Sequence, residues 1–141
     1  MTKALVFASI ALILIATFSS PQSAARSRKP RRLAQGSWGG QHIQMEVGQV
    51  SAKIEYDCAH GEMIGPLVID KRGRFSLKGT HSPEHGGPIR SDETELNEPA
   101  IYSGWTDGKR MKLTVTLARR KAIVGAFDLT LGSGGRVFKC R

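Results

Sequence analysis

Four histidines are the residues most able to do chemistry in this chain: His42, His60, His81 and His85. Glu62 and Glu84 stand two residues and one residue from His60 and His85. Imidazole and carboxylate groups presented on loops can ligate zinc or copper. If a metal binds, the expected ligands are His60, His85 and either His81 or Glu84. The spacing His81-x-x-x-His85 would set both rings on one face of a helix, but Pro83 lies between them and argues against a helix. The bland alternative is ordinary loop histidines. Catalytic motifs are missing: there is no Gly-x-Ser-x-Gly elbow, no His-Glu-x-x-His pair and no Walker loop. Asp92-Glu93 sits in a polar stretch with nothing to raise a pKa, so it does not read as an acid/base pair. Gly132-Ser133-Gly134-Gly135 lies between two strand patterns and reads as a hairpin, not a phosphate loop. The expected protein is therefore not an enzyme, and no cofactor is expected unless it is that zinc or copper ion.

The two cysteines depend on compartment for their meaning. Lys3 is followed by an uncharged apolar run, Ala4–Phe18, and then by the small residues Ser23-Ala24-Ala25. That order is read by signal peptidase. The run is about 15 residues long, whereas a membrane span needs roughly 20. Residues 1–25 are thus expected to be a cleaved signal peptide, and the product periplasmic or extracellular. In an oxidising compartment Cys58 and Cys140 are first a disulfide. Closing that loop of about 80 residues stabilises the fold by roughly 4–4.7 kcal/mol in the chain-entropy model, before strain.

The net charge of +9 is unevenly spread. Without Lys3, 20 basic residues face 12 acidic ones, and five of the 20 lie within residues 26–32. These are Arg26, Arg28, Lys29, Arg31 and Arg32, mixed with serine and proline. Residues 26–36 read as a basic disordered linker, able to contact an anionic surface polymer. The remaining excess is small, so the basic character is expected to reside in the tail and not on a folded face.

The elements that would position these groups are strands. From residue 37 onward the apolar residues recur with period two. Ile43, Met45 and Val47 alternate with Gln44 and Glu46. After a turn at Gly48-Gln49, Val50, Ala52, Ile54, Tyr56 and Cys58 do the same. Further strands are expected near Ile64–Ile69, around Phe75 and Leu77, near Ile101–Thr106, over Met111–Leu117, over Ile123–Leu131, and at Phe138–Cys140. Eight short antiparallel strands with tight turns and no helical period imply a single all-β domain over residues 37–141. It is an up-and-down meander closed as a small barrel, or alternatively a β-sandwich. In such a meander the turns at Gly48-Gln49, Asp70–Gly73, Asp107-Gly108 and Gly132–Gly135 fall at one end. The stretch Ala59–Met63, the long loop Thr80–Pro99, Ala118–Ala122, the basic tail and the C-terminus fall at the other. Trp38, Trp105, Tyr56 and Tyr102 would pack the interior or grip an apolar ligand.

Trp38-Gly39-Gly40, Cys58-Ala59-His60-Gly61, Glu84-His85-Gly86-Gly87-Pro88 and Asp107-Gly108 together resemble uncharacterised small secreted bacterial proteins. More loosely, the pattern is similar to lipocalin-like and avidin-like small barrels and to barrel-shaped periplasmic lysozyme inhibitors. The resemblance implies a barrel and an exported location. The functional expectation is an exported, non-enzymatic binding module that uses the loops at one end of the barrel. The alternative is a periplasmic metal-binding protein centred on His60 and His85.

Overall fold

A computed structural model describes residues 31–88 and 96–140. The expected signal peptide and Arg26, Arg28 and Lys29 lie outside the described residues, as do Asp92, Glu93 and Glu95. Ten strands follow one another: β1 (Arg31–Arg32), β2 (Gly36–Gly40), β3 (Ile43–Val47), β4 (Ser51–Tyr56), β5 (Ala59–Ile64), β6 (Val68–Ile69), β7 (Arg74–Pro83), β8 (Glu98–Thr106), β9 (Arg110–Leu117) and β10 (Ile123–Leu131). Eight of them close an antiparallel barrel in the order β10-β2-β3-β4-β5-β7-β8-β9. The sandwich alternative is overturned, because β10 pairs with β2 through Leu129↔Gly40 and Leu131↔Trp38 and leaves no free edge. The described residues include no helix long and apolar enough to cross a membrane.

The strand count agrees with expectation, but two strands differ. Gly36–Gly40 is a strand, and so is Ala59–Ile64, which reads in sequence as a loop. Ile64–Ile69 is not a barrel strand: Ile64 ends β5, Pro66 follows, and only Val68–Ile69 pairs, with Arg31–Arg32. Nor is Phe138–Cys140 a strand. The turn after β3 is also longer than Gly48-Gln49, closing through Gly48 N–H to Ser51 O at 2.8 Å, so Val50 sits on the turn instead of in β4.

Alternation decides which side chains fill the barrel. Trp38, Met45, Ile54, Met63, Tyr102 and Met111 are fully buried inside it. Trp38 Nε1–H donates to Ala34 O at 2.9 Å, which satisfies the one polar atom of that ring. Tyr102 needs space that only glycine leaves. A Cβ at Gly61 would strike the Tyr102 hydroxyl, and one at Gly79 would meet its ring and the Glu62 carbonyl. The Tyr102 hydroxyl, seated there, donates to Thr80 O at 2.6 Å.

The two ends of the barrel differ. At one end, Leu33 N–H bonds Leu67 O at 2.8 Å, and Leu33, Leu67 and Ile69 are buried as a plug. The turns 48–51, 70–73 and 107–110 lie here. Arg31 and Arg32 are here too, contrary to the expected place of the basic tail. The overlooked strand β2 adds one traverse of the barrel and moves the tail to the opposite end. At the other end lie the turns 41–42 and 57–58, the end of β7, the start of β8 and the turn 118–122.

After β10 the chain turns back across the outside of the wall. Gly134 and Gly135 press on the outward face of Gly39, where a Cβ would collide with them. Arg136 N–H bonds Gly40 O and His42 N–H bonds Arg136 O, at 2.9 and 2.8 Å. Phe138 N–H donates to Asp57 Oδ1 at 2.7 Å. This strap ends at Cys140, bridged to Cys58 with Cα atoms 4.9 Å apart. Cys140 lies outside the sheet, so the bridge need not span two strand spacings.

Candidate functional site

The unplugged end holds a cavity of about 250 Å³. Tyr56, His81 and Phe127 form its inner surface, Ala59, Pro83 and Val124 its sides, and His42, Asp57 and Cys58 its rim. Each element supplies its part for a local reason. Tyr56 is the last inward residue of β4, and Ala59 is the first of β5. His81 faces inward from β7, where it pairs in register with Gly61 of β5. Val124 is the extra residue of a bulge, since Ile123 pairs with Thr116 while Gly125 pairs with Val115. A bulge at a barrel rim re-aims a side chain, here Val124 toward the cavity.

The three rings stand close together. Tyr56 lies 5.5 Å from His81 and 5.5 Å from Phe127, both pairs tilted. His81 is 8% exposed, and its Nδ1 has no hydrogen-bond partner. Burial holds its pKa below the ordinary 6.5; Glu98 opposes that shift and His60 adds to it. The ring is therefore neutral at pH 7, with one nitrogen able to donate or accept. The Tyr56 hydroxyl is buried and makes no hydrogen bond of ordinary length. Burial, and then the neighbouring Tyr102 phenol, push Tyr56 well above its ordinary value, so it stays neutral. Cys58 is bridged. The inner surface thus offers neutral polar atoms, from Tyr56 and His81, among aromatic rings, and the Cys58 sulfur is held in the bridge.

A second layer fixes the rim. Gln41-His42 and Asp57-Cys58 are two-residue turns whose second residues are left-handed, with φ of 65° at His42 and 54° at Cys58. Non-glycine residues adopt that region at a cost. His42 Nδ1 lies 2.5 Å from Asp57 Oδ2. The Phe138 N–H, and to a smaller extent His42, hold the Asp57 carboxyl below the usual range. The exposed Phe138 ring stands 6.0 Å from the His42 ring, so strap and rim meet there.

The residues expected to ligate a metal are divided. His60 Nδ1 and Glu84 Oε1 come together at 2.9 Å on the outer face of the wall. That bond, with Lys139 nearby, holds Glu84 below the usual carboxylate range. His81 points the other way, into the barrel. His85 lies on the exposed stretch after β7, its Nδ1 3.0 Å from Gly86 O. Among the described residues no group of three or more His, Cys, Asp or Glu stands close enough to hold a metal ion. Sequence reasoning placed the histidines at the right end and Tyr56 inside. It missed Asp57, Phe127 and Val124. The pairing of Asp57 with His42 joins two turns that no periodicity connects, and the aim of Val124 depends on a bulge.

No protein-family model, curated protein or solved structure matches this chain. What stands is the class: a small, closed, eight-stranded up-and-down β-barrel with a disulfide and a cavity at the end opposite the plug.

Proposed function

We propose that this protein is an exported, non-enzymatic binding module that takes a small, largely apolar molecule with one hydrogen-bonding group into the mouth of its barrel. The observation that supports this reading is the buried, unpaired Nδ1 of His81 lining an aromatic cavity. A buried polar atom without a partner costs about 1–3 kcal/mol. A ligand atom that pairs with it recovers that cost, which favours a ligand with a donor or acceptor at that point. The cavity lies below the roughly 300–1,000 Å³ of drug-sized sites, so the ligand is small or enters by one end. The apolar leader and the cysteine bridge support export.

The test is a titration with phenol and with indole, followed by heteronuclear NMR. Shifts should centre on His81, Tyr56, Phe127 and Val124, and Val124→Trp should abolish them by filling the mouth. Val124 is exposed on a bulge, so the substitution leaves the core intact. Absence of shifts with both probes, or shifts that survive Val124→Trp, would overturn the proposal.

A further inference from the structure

The plugged end gathers charge that the sequence scatters. Arg31 and Arg32 pair with Val68–Ile69, and Arg32 Nη1–H donates to Gln49 O at 3.0 Å, beside the 48–51 turn. Lys71, Arg72 and Arg74 lie on or next to the 70–73 turn. Lys109 and Arg110 lie on the 107–110 turn. Thr106 N–H to Gly73 O at 2.8 Å ties these two turns together.

Seven cations thus share this end with two turn carboxylates, Asp70 and Asp107. Both carboxylates are already engaged. Asp70 accepts from the Arg72 and Arg74 backbones, and Asp107 from those of Lys109 and Arg110. Each also pairs with an arginine side chain, Arg74 or Arg110. No ion pair joins Arg31, Arg32, Lys71, Arg72 or Lys109 to a described carboxylate. The charge excess is therefore a property of the folded end as well as of the tail.

Apolar side chains stand among these cations. Val50 is 68% exposed and Ile64 66%, and they are neighbours through Gly65 N–H to Val50 O at 2.9 Å. Trp105 is 39% exposed on the outer wall, opposite Arg74. A hydrated polyanion would meet the cations but gain nothing from Val50 and Ile64. The headgroup region of a bilayer meets both, with cations at the phosphates and apolar tips below them.

We infer that the plugged end docks on an anionic phospholipid surface through Arg31, Arg32, Lys71, Arg72 and Lys109, with Val50 and Ile64 entering the interface. This orientation holds the cavity-bearing mouth away from the membrane. It does not depend on what that cavity binds.

The chain's two tryptophans make the test specific. Trp38 is fully buried, so changes at a surface are read by Trp105. The full chain is titrated with vesicles of phosphatidylcholine alone and of phosphatidylcholine with phosphatidylglycerol, with and without brominated lipid. The apolar run Ala4–Phe18 would bring it to either vesicle, so the informative quantities are the contrast between the two vesicles and the effect of the variants. Trp105 emission should shift to the blue and be quenched on the anionic vesicles far more than on the neutral ones. Each exposed cation contributes about five-fold in affinity, so Lys71→Glu/Arg72→Glu/Lys109→Glu should lose more than about a hundred-fold. Val50→Ser/Ile64→Ser should weaken vesicle binding while leaving heparin binding unchanged. Equal Trp105 response to both vesicles overturns the inference. So does full vesicle binding by Val50→Ser/Ile64→Ser, which would point instead to a soluble polyanion.

Discussion

Replacing both bridged cysteines, Cys58→Ser with Cys140→Ser, isolates what the disulfide contributes. The two residues are 82 apart in sequence. In the chain-entropy model a loop of this length restricts the unfolded chain by about 4.5 kcal/mol, of which measured disulfides commonly realise about 2–4. The native side of the balance should change little. The strap keeps the bonds of Arg136 to Gly40 and His42, the contact of Gly134 and Gly135 with Gly39, and the Phe138 N–H to Asp57. The assay is urea unfolding of the wild type and the double variant, with hydrogen exchange of the Arg136 and Phe138 amides read alongside. The expected result is a stability loss of about 2–4 kcal/mol, with both amides still protected in the native state. The slope on urea should rise, because the unlinked denatured chain exposes more surface. A loss under about 1 kcal/mol with protection intact would refute the unfolded-state account. Loss of protection at Phe138 alone would mean that the bridge, and not the backbone bonds, holds the strap down.

Two further outcomes follow from the interior. Gly79→Ala should lower stability by about 1–3 kcal/mol in thermal or urea unfolding, because its Cβ has the Glu62 backbone on one side and the Tyr102 ring on the other. A neutral effect would show that the Tyr102 ring yields. Acid should weaken the fold in two windows. A histidine held below 6.5 in the native state binds its proton more readily when unfolded, so the His81 contribution is present above that value and fades as pH falls below it. Asp57, Asp70, Glu84 and Asp107, the last lowered to about 2, contribute above the ordinary carboxylate range and lose that contribution as pH falls through their native values. His81→Gln should flatten the first window and leave the second; unfolding midpoints compared at neutral and mildly acidic pH decide it.

The strands that were legible in sequence are those whose inward residues are large. Met111, Leu113, Val115 and Leu117 alternate with polar residues because one face of β9 packs the core. β5 hides for the opposite reason. Its inward positions are Ala59, Gly61 and Met63, kept small at Gly61 to seat Tyr102, while its outward Ile64 is apolar and wet. β2 hides behind three glycines, one of them fitted to the returning strap. In their place the pattern offered Ile64–Ile69, an apolar run broken by Pro66, and Phe138–Cys140, which alternates but lies outside the sheet. The number eight was therefore reached with two strands substituted. Taking Ile64–Ile69 in place of β5 left the later turns at their expected ends of the barrel, and the lost β2 reversed only the tail. At the candidate site, the histidines and Tyr56 were visible as residue types at one end. The cavity depends on pairing, through the seat of His81 opposite Gly61, the bulge at Val124, and the joining of the turns at His42 and Asp57. One sequence without its partners in space does not carry that information.

The cysteine bridge also closes a covalent hoop. It runs from Cys58 through β5, β7, β8, β9 and β10 and returns along the strap to Cys140. β2, β3 and β4 lie outside that hoop in sequence, yet they fill the gap between β10 and β5 in the wall. The strap crosses the outer face of β2 and β3, so those strands lie between it and the core. They are the first three strands of the barrel in chain order, and they cannot peel outward as a sheet edge while the hoop is closed. Release requires the N-terminal segment to draw back beneath the strap or the sulfur bridge to open. Oxidation before these strands are seated would leave them to thread in; oxidation afterwards locks the seam of the barrel from the outside.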